Sequence, residues 1–215
     1  MREFCFDPIE SVLCVGAHSD DIEIGCGGTL LQMLAKRPEL KVHWVVFSGN
    51  AQRESEARRS ANAFLRQCEN KTITTYSFRD AYFPAQWEEI KQRFGELREQ
   101  CDPDLVFTHR LEDRHQDHQI VSQLTWNHFR NHAILEYEIP KYEGDLVTPS
   151  VYVPLQPEIA TTKVDLLSKH FASQQSKPWY DTATFEALMR IRGLESGASS
   201  QRAEAFIARK LLLQV

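Results

Sequence analysis

The chain has 215 residues, 42% of them hydrophobic and 26% charged, with a formal net charge of -5. That composition suits an ordinary globular α/β protein of one domain spanning 1–215. The acidic balance and the absence of Lys/Arg clusters exclude a nucleic-acid footprint or a polybasic membrane anchor. No apolar run is long enough to cross a bilayer, and Met1 to Glu10 has no basic region followed by an apolar one, so no signal peptide is expected. Five cysteines (Cys5, Cys14, Cys26, Cys68, Cys101) form an odd set without a C-x-x-C pair, which points to free thiols and a cytoplasmic location.

In chain order, Ser11 to Ala17 is a short apolar run suited to a buried strand. Gly25, Gly27 and Gly28 open a segment with helical spacing over Thr29 to Arg37, ended by Pro38. Lys41 to Phe47 reads as a second strand, Gln52 to Cys68 as a helix, Thr72 to Phe78 as a third strand and Gln86 to Gln100 as a helix. Asp104 to Thr108 is a fourth strand, Asp117 to Arg130 a helix and Ile134 to Ile139 a fifth strand. Pro140 to Ser150 is a loop and Val151 to Leu155 is strand-like. Pro157 starts a helix running to Phe171, and helical patterns follow over Thr182 to Arg192 and Arg202 to Leu213. Alternating strands and helices over the first 140 residues predict a Rossmann-like three-layer sandwich around a mostly parallel sheet.

Two segments carry the chemistry. His18-Ser19-Asp20-Asp21 and His115-Gln116-Asp117-His118 follow the first and fourth strands. In a doubly wound sheet those strand ends flank the ligand-binding crevice. His18, Asp21 and His118 would make a His₂Asp set, which is how a catalytic zinc is held with one position left open; Fe²⁺ or Co²⁺ suits the same ligands. Asp20, between two ligands, must point elsewhere. It is therefore placed to act as general base on a water activated by the metal. His115 would stand across the substrate as an imidazolium, with Asp117 behind it and Asp113 in support. Cys26 is a further conceivable ligand. On the rim, Arg53 could reach sugar hydroxyls or a phosphate, and it reads equally as a solvated arginine at a helix start. Tyr142 lies in a polar loop, 138–145, that could be a lid or a subunit contact, and a homo-oligomer is compatible with either. Trp179 and Tyr180 could stack on a sugar ring, with core packing the alternative for at least one. An Asp pair after a strand is also a common helix N-cap, and Gly25 to Gly28 does not match G-x-G-x-x-G.

At these residues the chain resembles the PIG-L/LmbE family of zinc-dependent N-acetyl-sugar deacetylases. The stretches that carry the resemblance are AHSDDIEIGCGGTL at 17–30 and HRLEDRHQDH at 109–118, with weaker echoes in RESE at 53–56, KHFASQ at 169–174 and RAEAF at 202–206. Ser19 and Gln116 depart from the family's prolines, and Ile22 stands where Glu is common, with Glu23 next. The resemblance implies zinc on His18, Asp21 and His118, Asp20 as base, His115 as acid with Asp117 behind it, and an N-acetylated sugar or sugar conjugate as the small-molecule partner. The competing expectations are a two-metal phosphoesterase and a non-catalytic metal- or sugar-binding protein.

Overall fold

The structure, a computed structural model, describes residues 9–212. Cys5 and Leu213 lie outside the described residues. The elements in chain order are β1 (Ser11–Gly16), α1 (Asp21–Lys36), β2 (Lys41–Ser48), α2 (Ala51–Phe64), β3 (Asn70–Phe78), a 3₁₀ turn (Phe83–Gln86), α3 (Trp87–Gln100), β4 (Leu105–His109), α4 (Gln116–His128), β5 (Ala133–Tyr137), β6 (Val151–Pro154), α5 (Pro157–His170), α6 (Thr182–Ser196) and β7 (Ala203–Ile207). They form an α/β fold around a seven-stranded mixed sheet in the order β3-β2-β1-β4-β5-β7-β6. The first five strands are parallel, and β7 runs antiparallel to both β5 and β6.

The strand order reverses at β1, which pairs with β2 on one side and β4 on the other, in register Cys14↔Trp44 and Cys14↔Phe107. The two expected site segments therefore leave the sheet side by side at the C-terminal edge of β1 and β4. Both faces of the sheet are buried. Trp44, Phe64 and Tyr137 belong to one apolar layer, and Phe47, Phe94 and Phe129 to the other.

Two expected elements differ. Helix α1 begins at Asp21, directly after Asp20 as N-cap, and takes in the glycines read as its approach. Those glycines serve packing: a Cβ on Gly25 would lie 2.3 Å from the Tyr137 ring and one on Gly27 2.6 Å from Phe64. Close helix-to-sheet and helix-to-helix approach outweighs glycine's low helix propensity here.

The second difference is at the C-terminus, where Arg202 to Leu213 was expected to be helical. Ala203–Ile207 is instead β7, inserted between β5 and β6 with Tyr137↔Phe206 and Tyr152↔Ala205 opposed. Two strands with open edges present backbone donors and acceptors that an extended segment satisfies, and this overrides the helical preference of Ala and Glu. Leu211 and Leu212, inside the range expected to be helical, are exposed.

Strand β7 also delivers Glu204 to the interior. Its carboxylate accepts the Gly28 and Thr29 amides (2.8 and 2.7 Å) and pairs with Lys163 of α5 at 2.6 Å, both side chains being buried. Lys163 in turn donates to the Ile24 carbonyl at 2.6 Å. This pair ties α1, α5 and β7 together. Removing one partner of a buried ion pair leaves the other charge uncompensated. Lys163→Met is expected to lower unfolding free energy by about 3–5 kcal/mol, read from urea denaturation; a loss under about 1 kcal/mol would show that Glu204 is satisfied by the two amides alone.

Candidate metal centre

His18 is the second residue beyond β1. Asp21 accepts the His18 amide through Oδ2 at 2.6 Å, which closes a tight turn and brings both side chains to one point. His118 lies in the first turn of α4. The separations are 3.1 Å from His18 Nδ1 to His118 Nε2, 3.4 Å from His18 Nδ1 to Asp21 Oδ2, and 3.5 Å from His118 Nε2 to Asp21 Oδ1. Ligand atoms about 2.0–2.2 Å from a tetrahedral zinc lie about 3.3–3.6 Å from one another. All three residues are buried.

The far nitrogen of each imidazole faces a carboxylate. His118 Nδ1 lies 3.1 Å from Asp113 Oδ2, and His18 Nε2 lies 3.2 Å from Asp117 Oδ2 and 3.1 Å from Asp80 Oδ1. Carboxylates in that place orient metal-binding imidazoles and raise their basicity. The donor types and backing carboxylates suit a divalent cation, with Asp21 reaching the two imidazoles through different oxygens and its Oδ2 lying 3.0 Å from His109 Nε2 as well.

Comparison with known proteins bears on the family and the fold. The sequence profile of the PIG-L family, described as GlcNAc-PI de-N-acetylase, matches residues 13–129, more than half of the chain. The chain is 31% identical over 170 residues to YaiS of Escherichia coli K12, an uncharacterised deacetylase, covering 75% of this chain and 90% of that one. This chain belongs to the PIG-L family. Among solved structures it resembles N,N'-diacetylchitobiose deacetylase from Pyrococcus horikoshii (TM-score 0.67, 18% identity, 92% of this chain and 83% of that one). It also resembles 4-carboxy-2-hydroxymuconate hydratase from Pseudomonas putida (TM-score 0.78, 15% identity, 96% and 99%). At such identities these two likenesses establish the fold alone, and the hydratase is a reminder that a fold does not dictate one reaction.

In this PIG-L site, burial by itself would lower the His18 pKa. The Asp21 charge and hydrogen bonds to Asp117, Asp21 and Asp80 reverse this and hold it well above the usual imidazole range. His118 is pushed down to about 3, by burial first and then by the His109 charge. Asp21 is held well below the carboxylate range: burial opposes this, and the charges of His118, His109 and His18 prevail. Asp20 is raised, chiefly by burial and also by Asp21, with Arg53 opposing. Its Oδ1 receives Arg53 Nη2 at 3.2 Å, while its Oδ2 has no hydrogen-bond partner among the described residues.

The remaining expected residues fall as follows. Arg53 lines the cleft, but its three nitrogens already meet Ser19, Asp80 and Asp20 at 3.1–3.2 Å. Asp117 does not back His115. Its oxygens take the Ala81 and Phe83 amides (2.6 and 3.1 Å) as well as His18, because α4 turns that side chain toward the 79–83 segment. The Asp117 amide, in contrast, lies 3.3 Å from His115 Nδ1, so that nitrogen accepts and Nε2 carries the hydrogen. Burial, then the His18 charge, lowers the His115 pKa. Cys26 is packed in the core next to Cys14, its thiol pushed up by burial, and it belongs to none of the groups that could hold a metal. Glu23 is fully buried away from the cleft, its pKa raised well above the usual range by burial.

Tyr142 stands exposed at the cleft mouth, with Trp179 also lining it and Tyr180 buried in the core. The base of its loop is pinned. Lys141 bridges Asp113 and Asp145 at 2.7–3.0 Å, and Asp145 also takes the Arg114 amide at 2.9 Å. Sequence reasoning gave no role to Asp80 or His109. Asp80 follows β3 and so lies on the same carboxyl edge of the sheet as the site motifs. His109, the last residue of β4, accepts the Ala17 amide at 3.0 Å and stacks on His118 with ring centroids 3.8 Å apart.

A cation bound at His18 Nδ1 must displace the proton that the raised pKa keeps there near neutrality. Metal uptake at pH 7 is therefore expected to release about one proton per ion, measured by calorimetry in buffers of different ionisation enthalpy. The sign follows for stability: a raised His18 pKa stabilises the chelated fold fully below pH ~6.5. That stability is lost as pH rises through the raised value. The melting temperature of chelated protein should fall across that range and that of loaded protein should not; equal slopes would contradict a charged His18.

Proposed function

We propose that this PIG-L protein is a metal-dependent hydrolase that removes the N-acetyl group from an N-acetylated aminosugar conjugate of the N-acetylglucosamine type. The observation that carries the reading is Asp20: a buried carboxylate held by Arg53 through one oxygen, with its other oxygen free beside the His18/Asp21/His118 triangle. The family assignment and the deacetylase relatives support the reaction class.

A divalent cation, zinc in this reading, would be held by His18, Asp21 and His118 and would supply a Lewis acid that polarises the acetyl carbonyl and acidifies water. Asp20 takes the proton of the attacking water on its free Oδ2, and Arg53, itself held by Ser19 and Asp80, fixes its orientation. His115, as an imidazolium, would give a proton across the cleft to the developing oxyanion or to the departing nitrogen; its neutral form, with Nδ1 accepting the Asp117 amide, still holds a hydrogen on Nε2. The C–N bond breaks, the acetyl carbon leaves as acetate, and the proton held by Asp20 passes to the amine. The cleft, about 870 Å³ with its open mouth, suits a sugar conjugate, and Trp179 at its wall offers an apolar face to a pyranose ring.

The two-metal phosphoesterase alternative would use the Asp21/His109/His118 and His18/Asp80/Asp117 groups, which share no residue; a single cation on His18, Asp21 and His118 would take ligands from both and leave neither complete. Elemental analysis of purified protein is expected to give about one metal per chain; two per chain would favour the phosphoesterase.

Asp20→Asn is expected to retain metal and to lose about 10²–10⁴-fold in kcat on N-acetylglucosamine conjugates, assayed by acetate release. Undiminished turnover would remove Asp20 from the mechanism. Asp20 works only above its raised pKa, and His115 as acid only below its lowered one. The kcat/KM profile should therefore be a narrow bell with its alkaline limb below pH ~6.5. A profile flat through that pH would mean that His115 acts as a neutral donor.

A further inference from the structure

Gln174 follows α5, lines the cleft together with Asp20, His115 and Trp179, and is only 3% exposed. Its Oε1 has no hydrogen-bond partner among the described residues. Its Nε2 donates to Ser173 Oγ at 2.8 Å. Ser173 is bound twice to Glu56, a buried residue of α2: its amide donates to Oε1 at 3.0 Å and its hydroxyl to Oε2 at 2.5 Å.

This chain of contacts fixes a polarity. A carboxylate only accepts, so the single hydroxyl hydrogen of Ser173 is committed to Glu56. The serine oxygen can then only accept from Gln174, and the amide NH₂ must face it. The carbonyl end of the amide is what remains without a partner, in a residue that lines the cleft. A buried acceptor without a protein partner is uncommon in a native fold and is ordinarily met by water or ligand.

We propose that Gln174 Oε1 is a substrate-binding acceptor that receives an N–H or O–H of the sugar, and that Glu56 and Ser173 are positioning residues that hold it in that polarity. The proposal rests on the deacetylase reading and adds the chemistry of one subsite: the ligand must carry a hydrogen-bond donor there, either a ring hydroxyl or the acetamido N–H. The two short motifs, RESE and KHFASQ, are thereby joined at one point of the cleft.

The test uses zinc-loaded protein with two probes. Glucosamine, which cannot be deacetylated, reports binding by titration. N-acetylglucosamine reports KM and kcat by acetate release. Gln174→Met is expected to raise both the glucosamine Kd and the KM about tenfold, the value of one hydrogen bond, with kcat changed less than about threefold and zinc content unchanged. Glu56→Gln gives Ser173 a donor neighbour, frees the serine hydrogen for the Gln174 carbonyl, and turns the NH₂ toward the cleft. It should produce a similar rise. The double variant should be no worse than either single one, since both act on the same contact.

Kd and KM within about twofold of wild type in Gln174→Met would overturn the proposal, as would additive effects in the double variant or a wild type that does not bind glucosamine. A wild type that binds glucosamine with this sensitivity yet releases no acetate from any N-acetylated sugar would sink the deacetylase reading and leave the subsite standing. Should Glu56→Gln fail to fold, Gln174→Met alone decides.

Discussion

The site depends on two buried contacts between a carboxylate and an imidazole, Asp117 with His18 and Asp113 with His118. Each occupies the outer nitrogen of a ring and so turns the inner nitrogen toward Asp21. Without them, two imidazoles 3.1 Å apart would have no reason to share one point rather than rotate away. The carboxylates are themselves anchored, Asp117 by the Ala81 and Phe83 amides and Asp113 by the His115 amide and Lys141. Orientation therefore passes from the backbone to the carboxylates, and from the carboxylates to the ligand rings.

The same anchors bind the site to the fold. Asp117 links the start of α4 to the segment after β3. Lys141 links the Asp113 loop to the loop after β5. Arg53 links α2 to Asp20. Every one of these segments leaves the carboxyl edge of the parallel strands, where the order reverses at β1. The sheet places the segments and the ion pairs set the final angles. Asp20 sits in such a setting: burial raises its pKa, and Arg53 holds one oxygen while the other has no partner among the described residues.

Much of this was legible in advance, for identifiable reasons. Parallel strands buried on both faces read as unbroken apolar runs, so β1, β2 and β4 were visible within a residue or two. Asp20 and Asp21 could be given different roles because adjacent side chains in a turn cannot face the same point. The start of α1 was placed too late because the three glycines read as opening the helix, whereas they lie inside it and admit Tyr137, Phe64 and Leu155. β7 was misread because Ala-Glu-Ala-Phe carries helical propensity, and the open edges of β5 and β6 are invisible along the chain. The partner of Asp117 was misassigned because sequence proximity favoured His115, two residues away, over His18, ninety-nine residues away.

By itself, the sequence determined the class of fold and the carboxyl edge of the sheet on which the two His/Asp motifs sit. Hydrophobic runs and short motifs are local properties, and they survive being read along a line. Only the tertiary structure decided which carboxylate backs which imidazole, that Arg53 holds Asp20, that Lys163 and Glu204 clamp α1, and that the Gln174 amide donates to Ser173. Those outcomes are set by hydrogen-bond directionality between residues far apart in the chain, and direction in space has no signature in the order of residues.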